Sequence, residues 1–324
     1  MKNNVTIIMY HYVRDLANSR FPEIKGLDST LFTEQVKYLS THYNVITMDE
    51  LIDCIDNNTQ LPVKSALLTF DDGYFDHFDC VMPVLAKHKM QGSFFPPAKA
   101  ILHNIVLDVN KIHFILASVK DKMLLVNELF SKLDEYHSAY GLDSNETYFK
   151  KHAVAGRKDP AEVMFIKQML QVILPENLRQ ILCNYFFNKY VTADEASFSR
   201  ELYMSIEQIK NLKENGMHIG SHGYDHYWLG SLSKEKQEIE IERSLEFLKL
   251  VGSVSNGWTM CYPYGNYNKD TLDILNSKGC KVALTTRADI AGLKEYKRFE
   301  LPRLDTNEIP FNGSAATNDW YDKA

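Results

Sequence analysis

The stretch Leu67-Leu68-Thr69-Phe70-Asp71-Asp72-Gly73-Tyr74 decides how this chain is read. Ala66 to Phe70 is an apolar run of strand length and predicts a short buried strand. It ends in two adjacent carboxylates and a glycine. Neighbouring side chains at a strand end point in different directions, so one carboxylate can bind a metal while the other faces substrate or water. Gly73 suits a sharp turn and a close backbone approach. By itself, Asp-Asp-Gly is also an ordinary turn.

The balance shifts with a second stretch far downstream, His218-Ile219-Gly220-Ser221-His222-Gly223-Tyr224-Asp225-His226. His222 and His226 flank a glycine after a predicted strand. A compact loop would bring both rings to one point. Two imidazoles and one carboxylate make a three-ligand site that leaves positions for water and substrate, the usual catalytic arrangement for zinc. Nickel, cobalt and iron accept similar ligands.

The rest of the 324 residues frames these two stretches. Apolar residues make up 45%, enough for a large core, and the formal charge of −6 argues against a nucleic-acid binder relying on bulk positive charge. Cys54, Cys80, Cys183, Cys261 and Cys280 show no CxxC spacing, so neither a disulfide framework nor a structural zinc knuckle is expected. No window approaches the roughly 18 apolar residues of a membrane span. The opening apolar run is too short for a secretory signal, and the expectation is a cytoplasmic protein.

Strand and helix signals alternate at both ends of the chain. Val5–Tyr10 reads as a strand running into His11, followed by helices from Thr30 and from Asp49. A helix over Phe75–Lys89 and a strand Gly92–Phe95 follow the first motif. The rhythm returns with a helix capped by Ser205, a strand over Met217–Ser221 and a helix after Ser233 carrying Ile239, Leu245 and Leu248. Strands over Trp258–Tyr262, Val282–Thr285 and Leu301–Leu304 complete the series. This predicts parallel βα units. Between them, residues 99–203 show helical spacing only, as at Ile112, Ile115, Leu116 and Val119, and at Leu178, Ile181, Leu182 and Tyr185. The expectation is a single catalytic domain over 1–324 with a mostly helical insertion over 99–203.

Thr69-Phe70-Asp71-Asp72-Gly73 and Ser221-His222-Gly223-Tyr224-Asp225-His226 resemble the first two motifs of the polysaccharide deacetylases, the NodB-homology domain of carbohydrate esterase family four. Tyr262-Pro263-Tyr264-Gly265 resembles the third, and Leu301-Pro302-Arg303 a segment near the domain's end. The resemblance covers about residues 1–98 and 203–306. It implies an α/β fold, a distorted (β/α)7 barrel of the NodB-homology type, with the helical insertion added. It implies Asp71 as general base, Asp72, His222 and His226 as ligands of a divalent metal, most simply Zn2+, and the Tyr264 backbone N–H as oxyanion donor. A protonated histidine would serve the leaving amine.

Three departures from the family pattern matter. Gly223 stands where Ser or Thr is usual. Cys261 stands where an arginine commonly pairs with the catalytic aspartate; Arg303 is expected to supply that charge from another strand. No histidine follows His226. Met9-Tyr10-His11 resembles the start of the branch that includes poly-N-acetylglucosamine deacetylases, in which a first-strand histidine fills the acid position, so His11 is the expected acid. The competing reading is a structural His11. His77 and His88 read as surface, His218 as packed, and Asp225 as a partner orienting a ligand histidine. Tyr74, Tyr227, Trp228, Tyr262 and Tyr264 offer faces for sugar rings or simply for packing. The implied reaction is removal of N-acetyl from an amino sugar of a glycan or glycan precursor. Surface contact with a lipid-linked substrate, without an integral membrane segment, fits that substrate class. Deformylation, hydrolysis of a non-sugar amide, or a decayed carbohydrate-binding site are the alternatives.

Overall fold

The computed structural model describes residues 3–156, 159–254 and 257–324. Residues 1–15, 26–105 and 199–324 form one compact unit, and 16–25 with 106–198 form a second.

The first unit is built on seven parallel strands: β1 Asn4–Tyr10, β2 Ser65–Asp71, β3 Gly92–Phe95, β4 His218–Ile219, β5 Trp258–Cys261, β6 Cys280–Leu284 and β7 Leu304–Asp305. Ladders join β1 to β2, β2 to β3, β3 to β4 and β5 to β6. A parallel bridge between Ser221 and Met260 carries the pairing from β4 to β5. Another, between Leu284 and Leu301, carries it toward β7, which pairs with β1 at Ile8 and Met9. The circuit closes, and its two single-bridge joints are where this (β/α)7 barrel is distorted.

The strand sequences explain the two-sided burial. β1 and β2 are apolar almost throughout because both faces are covered, as in parallel sheets generally. Val5, Ile7, Leu67, Phe95, Cys261, Val282, Leu284 and Leu301 form one cluster. Ile8, Tyr10, Ala66, Leu68, Phe70 and Phe94 belong to a second, with the helices. Alternation along β2 therefore sets Thr69 and Asp71 on the same face as Leu67.

The helices start where the sequence offers caps. Asp28 caps α1 (Ser29–His42) and Thr47 with Glu50 forms a capping box on α2 (Met48–Asn57). After β2, a π turn over His77–Val81 leads into α3 (Met82–His88), and α4 (Ala98–His103) follows β3. Ser205 with Gln208 caps α5 (Ile206–Glu214), Ser233 caps α6 (Lys234–Leu250), and Asn268 with Thr271 caps α7 (Lys269–Ser277).

The second unit is helical, with helices Asp108–Ser118, Lys122–Tyr140, Asn145–His152, Ala161–Gln168 and Glu176–Tyr190. Ile112, Ile115, Leu116, Leu178 and Leu182 are buried in it. Among the described residues, no helix is long and apolar enough to cross a membrane.

Two apolar positions differ from expectation. Ile239 is 48% exposed and Ile181 41% exposed. The inner face of α6 instead carries Gln237, Glu240, Ile241, Ser244, Phe247 and Leu248. Its buried polar positions obscure the apolar periodicity.

Gly220 marks the tightest point of the barrel wall. A Cβ there would meet Phe95 Cε1 at 2.4 Å and Thr259 Oγ1 at 2.6 Å. Gly220→Ala is expected to lower stability by about 1–3 kcal/mol through overpacking, measured by urea unfolding.

Candidate active site

The C-terminal ends of the barrel strands bring the two motifs together. Asp71 is the last residue of β2, and Asp72 follows with φ 70°. That left-handed conformation turns the second carboxylate away from the strand direction. The Tyr74 hydroxyl donates to Asp72 Oδ2 at 2.6 Å, leaving Oδ1 with no hydrogen-bond partner although it is buried.

The orphaned Oδ1 faces the histidine loop. His222 Nε2 lies 3.3 Å from it and His226 Nε2 3.4 Å. One donor atom from each of Asp72, His222 and His226 falls within 4.8 Å of the others, and all three residues are buried. His222 Nδ1 donates to the Cys261 carbonyl at 2.8 Å, which turns Nε2 toward Asp72. A buried carboxylate oxygen without a hydrogen-bond partner, facing two imidazole nitrogens, fits a divalent cation. Burial works to raise the Asp72 carboxyl, yet the neighbouring His222 and His226 hold it well below the ordinary value.

Asp71 has a different partner. Arg303 Nη1 donates to Oδ1 at 2.9 Å and Nη2 to Oδ2 at 2.7 Å, a bidentate pair with both residues fully buried. Arg303 Nε donates to the Thr285 carbonyl, and Nη1 also meets Thr69 Oγ1 at 3.1 Å and Cys261 Sγ at 3.2 Å. Cys261 thus occupies the place where the family pattern has an arginine, and the guanidinium comes from the segment between Leu301 and β7. Burial pushes the Asp71 carboxyl up, but the charges of Arg303 and His222 outweigh it and bring it down to about 2.

His11 follows β1, with Nε2 4.0 Å from Asp71 Oδ2. Its side chain is 42% exposed, whereas that of Asp71 is 1% exposed. Tyr264 sits in the turn Pro263–Gly265 after β5 with φ 57°. Its ring packs 4.7 Å from that of His226 and stacks on Trp228 at 4.3 Å. Gly223 has φ 75°, a conformation that disfavours the Ser or Thr of the family pattern. Ser221 Oγ accepts from the Gly223 N–H at 3.1 Å, so a hydroxyl from two residues upstream braces this turn.

Two sequence readings are corrected, those of His77 and Asp225. His77 is fully buried, not at the surface: its Nε2 donates to the His11 carbonyl at 2.8 Å. The π turn beginning at His77 adds a residue to that turn and shifts the helical faces. Burial lowers its pKa to about 4, keeping the ring neutral. The Asp225 carboxylate pairs with Lys99 rather than with a ligand histidine. Tyr74 and Tyr262 are fully buried and serve as packing, with Tyr262 donating to the Phe299 carbonyl. Glu240 is a residue that no sequence pattern singled out. It is buried on α6 and accepts from the Asp225 N–H at 2.9 Å; burial pushes its carboxyl up to about 7. His218 is packed as expected, 2.7 Å from Thr259 Oγ1.

Comparison with known proteins follows the same lines. The family model described as polysaccharide deacetylase matches residues 184–283, which take in the histidine loop and the turn at Tyr264. The protein YxkH of Bacillus subtilis (strain 168) is 21% identical over 301 residues, 92% of this chain and 70% of that one. The resemblance to the polysaccharide deacetylases stands. The Streptococcus pyogenes deacetylase PplD, solved in complex with acetate, superposes with a TM-score of 0.57 at 17% identity, over 94% of this chain and 93% of that one. IcaB from Ammonifex degensii gives 0.56 at 19%, over 99% and 95%. These two structures share the fold across nearly the whole chain.

Removing Arg303 strands a buried carboxylate. Arg303→Met is expected to cost about 3–5 kcal/mol at pH 7 by urea unfolding. The wild-type pair contributes fully above the unfolded aspartate value and is lost as pH falls through about 2. In the variant the folded Asp71 value is raised, so stability is instead lost as pH rises. The gap between the two proteins therefore narrows on going from pH 7 to pH 4.

Proposed function

We propose that this protein is a divalent-metal-dependent hydrolase that removes an N-acetyl group from an amino sugar of a glycan or glycan precursor. The observation that carries the reading is the convergence of Asp72, His222 and His226 beside the Asp71–Arg303 pair. Acetate bound in the PplD complex supports an acetyl group as the acyl group removed.

Asp72, His222 and His226 would hold a divalent ion, most simply zinc, which takes two imidazoles and a carboxylate as ligands. When bound, the ion supplies Lewis acidity and lowers the pKa of water.

The chain's own residues do the rest. Asp71 accepts the proton of the attacking water. Arg303 lowers its basicity but fixes its direction, which is what a base reacting with an already acidified water needs. The Tyr264 backbone N–H donates to the oxygen on which charge develops. His11, with Nε2 4.0 Å from Asp71 Oδ2, donates to the leaving amine. His77 holds the His11 carbonyl and so fixes where that ring begins. The half-buried Trp228–Tyr264 stack forms a flat wall beside His226 that suits a sugar ring. The full donor set, and Arg303 supplying the charge absent at Cys261, argue against a decayed site.

Elemental analysis of purified protein is expected to find about one equivalent of divalent metal, lost in His222→Ala/His226→Ala. The wild type should release acetate from short N-acetylglucosamine oligomers in a metal-dependent way. Metal without acetate would move the substrate to other acyl groups or amino sugars; no metal under metal-replete conditions would sink the mechanism. Asp71→Asn is expected to keep the metal and lose turnover. His11→Ala should lower kcat by about 10²–10⁴-fold, and activity close to wild type would remove His11 from the mechanism.

A further inference from the structure

The five-residue loop that carries both ligand histidines is held by its peptide groups. Ala98 N–H donates to the Gly223 carbonyl at 3.2 Å and Lys99 N–H to the Tyr224 carbonyl at 2.9 Å, both from the start of α4. On the other side stands α6. Glu240 Oε2 accepts from the Asp225 N–H at 2.9 Å. Ser244, one turn further along α6, accepts from Ser221 Oγ at 3.0 Å and donates to the Ile241 carbonyl. The loop is clamped between two helices through consecutive peptide groups.

Glu240 is the costly member of this clamp. It is only 6% exposed, and among the described residues the cation beside it, Lys99, pairs with Asp225. A buried carboxylate without a bonded cation is destabilising unless hydrogen bonds compensate it. Here the compensation comes from the Asp225 N–H. The next residue, His226, sits at φ 56°, a left-handed conformation that persists only where its surroundings over-determine it. Fixing the Tyr224–Asp225 peptide, one residue before His226, is such a constraint.

We propose, on the reading that His222 and His226 hold the metal, that Glu240 is the positioning residue that presets the ligand loop for metal binding. Its carboxylate pins the Asp225 amide and so holds His226 in its strained conformation before any ion arrives. This takes over the steadying function of the hydroxyl that Gly223 lacks. It acts through the loop and touches neither metal nor substrate.

The test uses the full-length protein, with E240A and E240Q. Zinc affinity is measured by competition with a chromophoric chelator, and hydrogen exchange of the Asp225 amide is followed in metal-free protein. Amides of Leu67–Phe70 serve as the reference for global stability. E240A is expected to weaken zinc binding by about 10–100-fold and to accelerate exchange of the Asp225 amide without changing the reference. E240Q keeps a carbonyl acceptor and should restore both toward wild type. A buried glutamate of purely structural importance would instead move loop and reference amides together, and that result overturns the proposal. So does wild-type zinc affinity in E240A. Absence of zinc binding in the wild type itself would overturn the metal reading, while loop exchange in the metal-free protein still decides whether Glu240 positions the loop. Should E240A fail to fold, Glu240→Asp carries the same test, since it keeps the charge and shortens the reach by one methylene.

Discussion

One guanidinium holds the catalytic end of the barrel in register. Arg303 reaches Thr69 and Asp71 on β2, Cys261 on β5 and the Thr285 carbonyl just after β6, while its own backbone N–H donates to the Arg287 carbonyl. These segments are far apart in sequence and meet only when the barrel is closed. The charge is fully buried, so its desolvation penalty is large and is offset only by the complete set of bonds. Closing the barrel and forming the Asp71 environment are therefore one event. The two joints at which the strand pairing thins to a single bridge flank β5 and β6, the region this side chain ties to β2.

The paired carboxylates at the end of β2 owe their different roles to backbone geometry. Asp71 continues the strand alternation and faces Arg303. Asp72 leaves the strand at φ 70° and faces the histidines. Strained conformations gather here: Asp72, His226 and Tyr264 are three of the seven non-glycine residues with positive φ among those described. Each costs on the order of 1 kcal/mol or more and needs support from its surroundings. Asp72 has the Tyr74 hydroxyl, His226 the loop clamp and Tyr264 its stack on Trp228. The strain puts side chains and an amide where regular strand ends would not.

The sequence disclosed those parts of the site that sit at strand ends, because a strand fixes direction residue by residue. Asp71, Asp72 and the histidine pair were legible as a group for that reason, and the βα rhythm placed them at one end of the fold. Arg303 was legible through a deficit: Cys261 left a carboxylate without its expected partner, and one other motif held an arginine. His77 was not legible. Its inward direction depends on a π turn, which changes the helical phase without any residue signature. Glu240 was hidden differently, in a helix whose sequence from Lys234 is dense with charges, so that one buried carboxylate looks like its exposed neighbours. Asp225 was misread because its position between two ligands suggested a shared task, whereas the loop's curvature turns it toward Lys99.

Two of the three departures from the family pattern, at Cys261 and Gly223, share a physical logic. At Cys261 a long cation is replaced by a small side chain, and at Gly223 a hydroxyl is replaced by hydrogen. In both cases the missing group's interaction is met from another element: the positive charge from the segment before β7, and the loop bracing from Ser221 and α6. What the site requires is a cation against the Asp71 carboxylate and a fixed amide before His226. The barrel places several strand ends and helices within reach of each point, so these requirements do not bind any one sequence position. A small residue at the old position is then more than a loss. The Cys261 thiol leaves room for Arg303 to lie against it at 3.2 Å, and the left-handed turn at Gly223 is open to glycine at little cost. Each substitution makes space for the group that replaces its function.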